Sequence, residues 1–345
     1  MKKRMRVAVI GCGEIARYLH VPDYVTCPEA EIVALCDKVK AKAQALAAKY
    51  APEAKIYTDY RKLLKEAAPD AVTVALPNYL HALVTIDALK AGSHVNVEKP
   101  MACSSAEAKR MVDTAKKCKK LLNVNQSQRV FPPHIKAKEV MASGILGKVL
   151  HVTAMFGHEG PENWSPTGKW FFRKKEARFG AMADLGVHKA DLIRFLMGKE
   201  VAQVSAFFGT LEKKNTDVED NFAACLQFED GTVGTLASSW TVKGMEANYT
   251  IFHCENGSFR VCEIPGKPLV ANLVNPRCEI VFDVPEAVTN ASDDAWGLGV
   301  SGMFVRAAMG LEEPYCPGEE GKKSLEVILA AEKAALTRRT VTLKH

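Results

Sequence analysis

"RVAVIGCGEIA", residues 6–16, decides how the amino-terminal part of this chain folds. Val7 to Ile10 form a short apolar run rich in β-branched residues, as expected of a strand buried on both faces. Gly11-x-Gly13-x-x-Ala16 follows and leads straight into the helical pattern "EIARYLH". In such a strand–turn–helix the first glycine permits the tight turn and the second lets the backbone approach a pyrophosphate. The alanine permits close packing of helix on strand, and the helix amino terminus supplies free N–H groups and partial positive charge. A bare strand-to-helix turn would produce the same letters. The setting adds weight, because the next strand pattern, "EIVALCD" (31–37), ends in an acid. A carboxylate there would accept hydrogen bonds from the hydroxyls of an adenosine ribose. Gly11, Gly13, Glu14, Ile15 and Asp37 are therefore the expected dinucleotide contacts. Asp37 would repel a 2′-phosphate and so favours NAD, while Lys38 beside it keeps NADP open.

The pattern continues outward from this loop. An alanine-rich helix (39–50), a strand (70–77), a helix (81–92), a strand ending "VNVEKP", a helix opened by the capping pair Ser104 and Glu107, and a strand (120–126) follow in turn. Strands alternating with helices imply βαβ units joined by right-handed crossovers. Residues 1–126 thus read as a Rossmann-type, doubly wound parallel sheet that binds NAD(P). After Gln126 the grammar changes. A helix (135–143), a strand (148–157), a loop rich in Trp, Pro and Gly (157–170) and a helical segment (180–198) precede strands in hairpin order. A helix (324–337) and the short strand "TVTL" close the chain. Residues 127–345 read as an α+β domain with a large, mostly antiparallel open sheet, serving substrate binding and oligomerisation.

Composition narrows the function classes. The chain has 345 residues, 48% hydrophobic and 25% charged, with a net charge of +6 and no low-complexity tract. No dense basic stripe with interleaved aromatics appears, so a nucleic-acid partner is not expected. No apolar run reaches membrane-spanning length and none resembles a signal peptide. The ten cysteines form no C-x-x-C pair and no Cys/His cluster at zinc spacing, so no metal is expected. Several lie in apolar runs as small core residues, which points to a reducing compartment, the cytoplasm.

Two further clusters carry chemistry. "ALPNYLH" (75–81) and "NVEKP" (96–100) end consecutive strands, so Pro77, Asn78, His81, Glu98 and Lys99 gather at the carboxyl edge of the sheet with the glycine loop. In "DLGVHKAD" (184–191), Asp184 and His188 are four apart in a helical pattern and would share a face. A carboxylate so placed can orient an imidazole acting as a base, although an isolated pair of this kind is more often a surface ion pair.

"GCGEIA" with Asp37, "PNYLH", "EKP" and "DLGVH", in that order and spacing, resemble the glucose-fructose oxidoreductase/inositol dehydrogenase (Gfo/Idh/MocA) family over essentially the whole chain. The resemblance implies an NAD(P)-dependent oxidoreductase that interconverts a secondary alcohol and a ketone on a sugar, inositol or related polyol. It implies that Pro77, Asn78, His81, Glu98 and Lys99 join the cofactor contacts, and that Lys99 also reaches the substrate's reacting oxygen, next to a cis Lys99–Pro100 bond. It makes His188 the base, with Asp184 in support. Arg129, Trp170, Arg173 and Asp191 become expected substrate contacts, although relatives with adjacent Trp-Arg differ from this chain, where two phenylalanines intervene. A homodimer or homotetramer is implied through the large sheet. Two rivals share the resemblance: a glycosidase that oxidises its sugar transiently on retained NAD, and a non-catalytic NAD sensor.

Overall fold

The computed structural model describes residues 4–286 and 297–344. They divide into two compact units, one of residues 4–127 and 297–322, the other of 128–286 and 323–344. The sequence reading gave everything after 126 to the second domain. Residues 297–322 instead pack with the first unit, because their side chains satisfy buried polar groups there, as described below.

The first unit holds six parallel strands: β1 (Met5–Ile10), β2 (Ala30–Cys36), β3 (Lys55–Tyr57), β4 (Ala71–Val74), β5 (His94–Val97) and β6 (Leu122–Val124). Their order is β3-β2-β1-β4-β5-β6, the arrangement of a doubly wound dinucleotide-binding sheet. Continuous apolar stretches such as Val7, Ala8, Val9 and Ala71, Val72 are fully buried, as helices on both faces of a parallel sheet require. The order reverses between β1 and β4, where ligands bind in sheets of this kind. Ser104 caps the helix Ser105–Cys118 by accepting from Glu107 N–H (3.2 Å), and Glu107 accepts in return from Cys103 N–H (2.9 Å).

The second unit is built on a nine-stranded sheet of β7 (Val149–Gly157), β8 (Val201–Gly209), β9 (Asn221–Phe228), β10 (Val233–Ser239), β11 (Ala247–Cys254), β12 (Gly257–Ile264), β13 (Lys267–Val274), β14 (Arg277–Val281) and β15 (Val341–Thr342). Only the β7–β10 pair is parallel. Alternation along β9 buries Phe222, Ala224, Leu226 and Phe228 and leaves the residues between them facing outward. The buried side packs against helices Pro132–Ala142, Val187–Met197 and the last helix, Gly318–Thr337, in one apolar core.

Candidate active site

In the first unit the site is assembled at the carboxyl tips of the strands. Gly11 follows β1 with φ +101°, and a β-carbon there would stand 2.0 Å from the Ala75 carbonyl oxygen, so only glycine fits. Gly13 differs, since a β-carbon on it would meet nothing of the chain within 4 Å. Packing accounts for Gly11, whereas the clear approach at Gly13 suits a pyrophosphate on the main chain. Asp37 lies just past β2, accepting from Cys12 N–H through Oδ2 (2.9 Å) and from Val39 N–H through Oδ1 (2.8 Å). Its carboxylate is thereby fixed beside the glycine loop, where an adenosine ribose would lie. Glu14 accepts two hydrogen bonds from Arg17 (3.0 and 2.8 Å), and Ile15 packs against the core. These residues fit a dinucleotide.

Pro77 stands at the cap of the helix Asn78–Lys90, which starts three residues before His81. His81 is buried, with Nδ1 2.8 Å from the Pro100 carbonyl oxygen and Nε2 2.6 Å from that of Leu76. Burial lowers its pKa, against the pull of these two carbonyls. Both ring nitrogens face main chain, so His81 braces the loop after β4 against the turn after β5. That replaces the expectation that it contacts cofactor.

Glu98 is buried at the tip of β5 and accepts from His20 Nε2 (2.8 Å) and Asn125 Nδ2 (2.6 Å) through Oε1, and from Lys99 N–H (3.2 Å) through Oε2. Burial would raise its pKa, but the bond and charge of His20, with Lys99 and Asn125, outweigh it and hold the carboxylate below its usual range. The second layer comes from the far end of the chain. His20 Nδ1 meets Ser301 Oγ (3.0 Å), Asp23 accepts from Gly299 and Ser301 N–H (3.1 and 3.2 Å), and Tyr315 donates to Asn125 Oδ1 (2.8 Å). Lys99, half-buried, follows with a cis bond to Pro100. Sequence reasoning missed His20, Asn125, Ser301 and Tyr315. Asn125 alone had a positional signal, standing at the tip of β6.

In the second unit Asp184 lies in a π turn, Met182–Gly186, that runs into the helix bearing His188. This wider turn takes the place of the α-helical turn that the four-residue spacing predicts. Asp184 Oδ2 accepts from the indole N–H of Trp240 (3.0 Å), and the His188 ring lies 6.0 Å from that of Phe156. Both are buried, each 8% exposed. The turn is anchored by Glu219, another residue that the sequence did not single out, whose Oε1 accepts from Gly180 and Met182 N–H (2.8 and 3.0 Å).

Two expected substrate contacts are engaged with each other. Arg129 donates through Nε and Nη2 to the two oxygens of Asp191 (2.7 and 2.8 Å), and both residues are buried. Ser324 also donates to Asp191 (2.8 Å), and Arg194 donates to Ser324 (2.7 Å) and forks onto Glu200 (2.6 and 2.9 Å). This network ties the His188 helix to the last helix, so Arg129 and Asp191 are structural. Arg173 is exposed and pairs with Glu176 (3.0 Å). Trp170 is half-buried and stacks on Phe171 with ring centroids 3.9 Å apart.

Residues 5–126 match the model of an oxidoreductase family with an NAD-binding Rossmann fold, and 134–260 match the GFO/IDH/MocA C-terminal domain. The protein is thus an NAD-binding oxidoreductase by class. A D-glucoside 3-dehydrogenase of Escherichia coli K12 is 32% identical over 254 residues, 69% of this chain and 71% of the relative. A myo-inositol 2-dehydrogenase of Thermotoga maritima is 26% identical over 348 residues, 99% of each chain. The crystal structure of an aldose-aldose oxidoreductase from Caulobacter crescentus with glycerol superposes with a TM-score of 0.84 at 23% identity, over 99% of this chain and 100% of that one. The chain belongs to the Gfo/Idh/MocA oxidoreductase family. Among the described residues no helix is long and apolar enough to cross a membrane.

Proposed function

We propose that the enzyme interconverts a secondary alcohol and a ketone on a sugar, inositol or related polyol, with NAD as the preferred cofactor and NADP the alternative. One observation carries the reading. An amine, Lys99, stands at the carboxyl tip of β5, beside a carboxylate locked in place by His20 and Asn125. The relatives named D-glucoside 3-dehydrogenase and myo-inositol 2-dehydrogenase support the substrate class.

In this reading Gly11, Gly13, Glu14, Ile15 and Asp37 hold the adenosine and pyrophosphate end of the dinucleotide, and Pro77, Asn78 and Glu98 the nicotinamide end. NAD, when bound, supplies the hydride acceptor. Lys99 hydrogen-bonds the reacting oxygen, and His188 takes the hydroxyl proton, supported by Asp184, which the Trp240 indole holds in place. Trp170 covers the substrate.

The test is a spectrophotometric screen of sugars and inositols with NAD and NADP separately, followed by Lys99→Ala and His188→Ala. Each variant should lose about 10²- to 10⁴-fold in turnover, as removal of a proton-transfer group does, while cofactor affinity changes far less. Near-normal turnover in both would overturn the roles. Glycoside cleavage without net reduction of the cofactor would favour transient oxidation, and no turnover across a broad panel would favour a sensor.

The outward face of the nine-stranded sheet supports a homodimer or homotetramer. Phe207, Ala223, Ala237, Met155 and Tyr249 are opposite one another on five neighbouring strands and form an apolar row away from the core. The ten free thiols suit a cytoplasmic setting.

A further inference from the structure

The helix-covered face of the nine-stranded sheet is apolar over most of its extent: Val152, Ala154, Leu236, Phe252, Phe259 and Val261 belong to one core. One patch departs from this. Asn248 and Thr250, two apart on β11, share that face opposite Phe156 and Ala154 of β7. Asn248 Oδ1 and Thr250 Oγ1 are buried, and neither hydrogen-bonds anything among the described residues. Lys189, on the helix Val187–Met197, is wholly buried, and its Nζ likewise has no hydrogen bond among those residues. That ammonium stands 5.9 Å from the centroid of Phe156, the ring that also lies against His188. Three buried polar atoms on this face of the sheet and the helix over it have therefore given up water without a return in hydrogen bonds, which folding alone does not favour.

We infer that Lys189, Asn248 and Thr250 form a subsite that reads hydroxyl groups of a neutral polyol away from the reacting carbon. The inference rests on the polyol reading above and adds its specificity residues. A hydroxyl accepts from the Lys189 ammonium and donates to Asn248 Oδ1, while Thr250 Oγ1 can do either. Hydroxyls supply both the acceptors and the donors that these three atoms call for. A carboxylate would match Lys189 alone, and would face both the Asn248 acceptor and Glu246, which accepts from Asn248 Nδ2 at 3.5 Å. Neutral aldoses, glycosides and cyclitols are favoured over aldonic and uronic acids. Burial lowers the Lys189 pKa to about 8, with Cys262 and Glu246 pulling it upward, so the ammonium is still largely charged at neutral pH. Two further groups that act on Lys189 electrostatically, the His134 imidazole and the Cys262 thiol, are 3.9 Å apart. Burial keeps both neutral, lowering His134 to about 3 and raising Cys262 to about 11.

The experiment compares wild type with Lys189→Met and Asn248→Leu, measuring binding of myo-inositol, D-glucose and D-glucuronate in the presence of NAD by calorimetry. Melting temperature and NAD affinity are measured alongside. Lys189→Met should weaken the neutral polyol by about 10- to 100-fold, the worth of a hydrogen bond to a charged group. NAD affinity should hold, and the melting temperature should stay level or rise, because a buried ammonium has given way to an apolar chain of similar length. Unchanged polyol affinity in both variants would make the patch a purely structural feature and overturn the inference. Tighter binding of glucuronate than of the neutral ligands would overturn it too. Polyol binding that depends on Lys189 without any turnover would sink the oxidoreductase reading and leave the subsite standing. If Lys189→Met fails to fold, Asn248→Leu and Thr250→Val carry the comparison.

Discussion

Glu98 keeps its charge in a buried position only because its neighbours donate to it. With His20→Ala, burial becomes the dominant influence and the Glu98 pKa rises. The acid limb of the kcat/KM profile should then move to higher pH, and an unmoved limb would show that the charge on Glu98 does not matter to turnover. Asp37→Ser should weaken NAD by about tenfold, the worth of a charged hydrogen bond, and shift preference toward NADP; competitive binding of the two cofactors checks this. Glu219 behaves in the opposite way to Glu98. Burial pushes it from 4.5 up to about 7, although the N–H groups of Met182 and Gly180 favour the charged form. Between those values the folded state holds a proton that the unfolded chain has released, so stability falls as pH rises through the window. Glu219→Gln keeps the acceptor and should flatten the melting temperature between pH 5 and 7. Gly11, Asp37 and Lys99 were legible in the sequence because each sits at a strand tip next to a turn signal. Glu219 and His20 were not, since their partners lie 37 and 281 residues away.

The parallel strands and their helices were legible from apolar runs and caps. Harder were β3, only three residues long, and β13 and β14, where period-two alternation is weak or absent. The π turn at Met182–Gly186 was also out of reach, because it leaves the periodicity of the surrounding helix almost unchanged. A second π turn, Ala16–His20, follows the glycine loop, so each unit places this irregular element in the segment bearing its site, as such turns often are. The network of Arg129, Asp191 and Ser324 stiffens the helix that starts from the Met182–Gly186 turn. Removing one partner, as in Arg129→Met, leaves a buried carboxylate uncompensated and should cost about 3–5 kcal/mol. Arg129→Met with Asp191→Leu should recover much of that. Urea denaturation of the single and double variants decides whether the pair is structural; a double variant that folds well yet has lost its polyol would return Asp191 to substrate binding.

At the scale of the molecule, the apolar row across the outward sheet face predicts self-association. Ala237→Arg in the middle of that row should convert the oligomer to a monomer in sedimentation velocity while the fold persists; a monomeric wild type would refute it. The two-domain plan was legible from the change of grammar after Gln126. The return of residues 297–322 to the first unit was not, because their helix, Val300–Ala308, is short and its partners are far away in sequence. That return has a consequence for biosynthesis. A ribosome delivers His20, Asp23 and Asn125 well before Ser301 and Tyr315, which follow 190 to 281 residues later. The nucleotide-binding unit is begun before the second unit's sheet and completed only after it, and nascent chains released before residue 300 should not be rescued by added NAD.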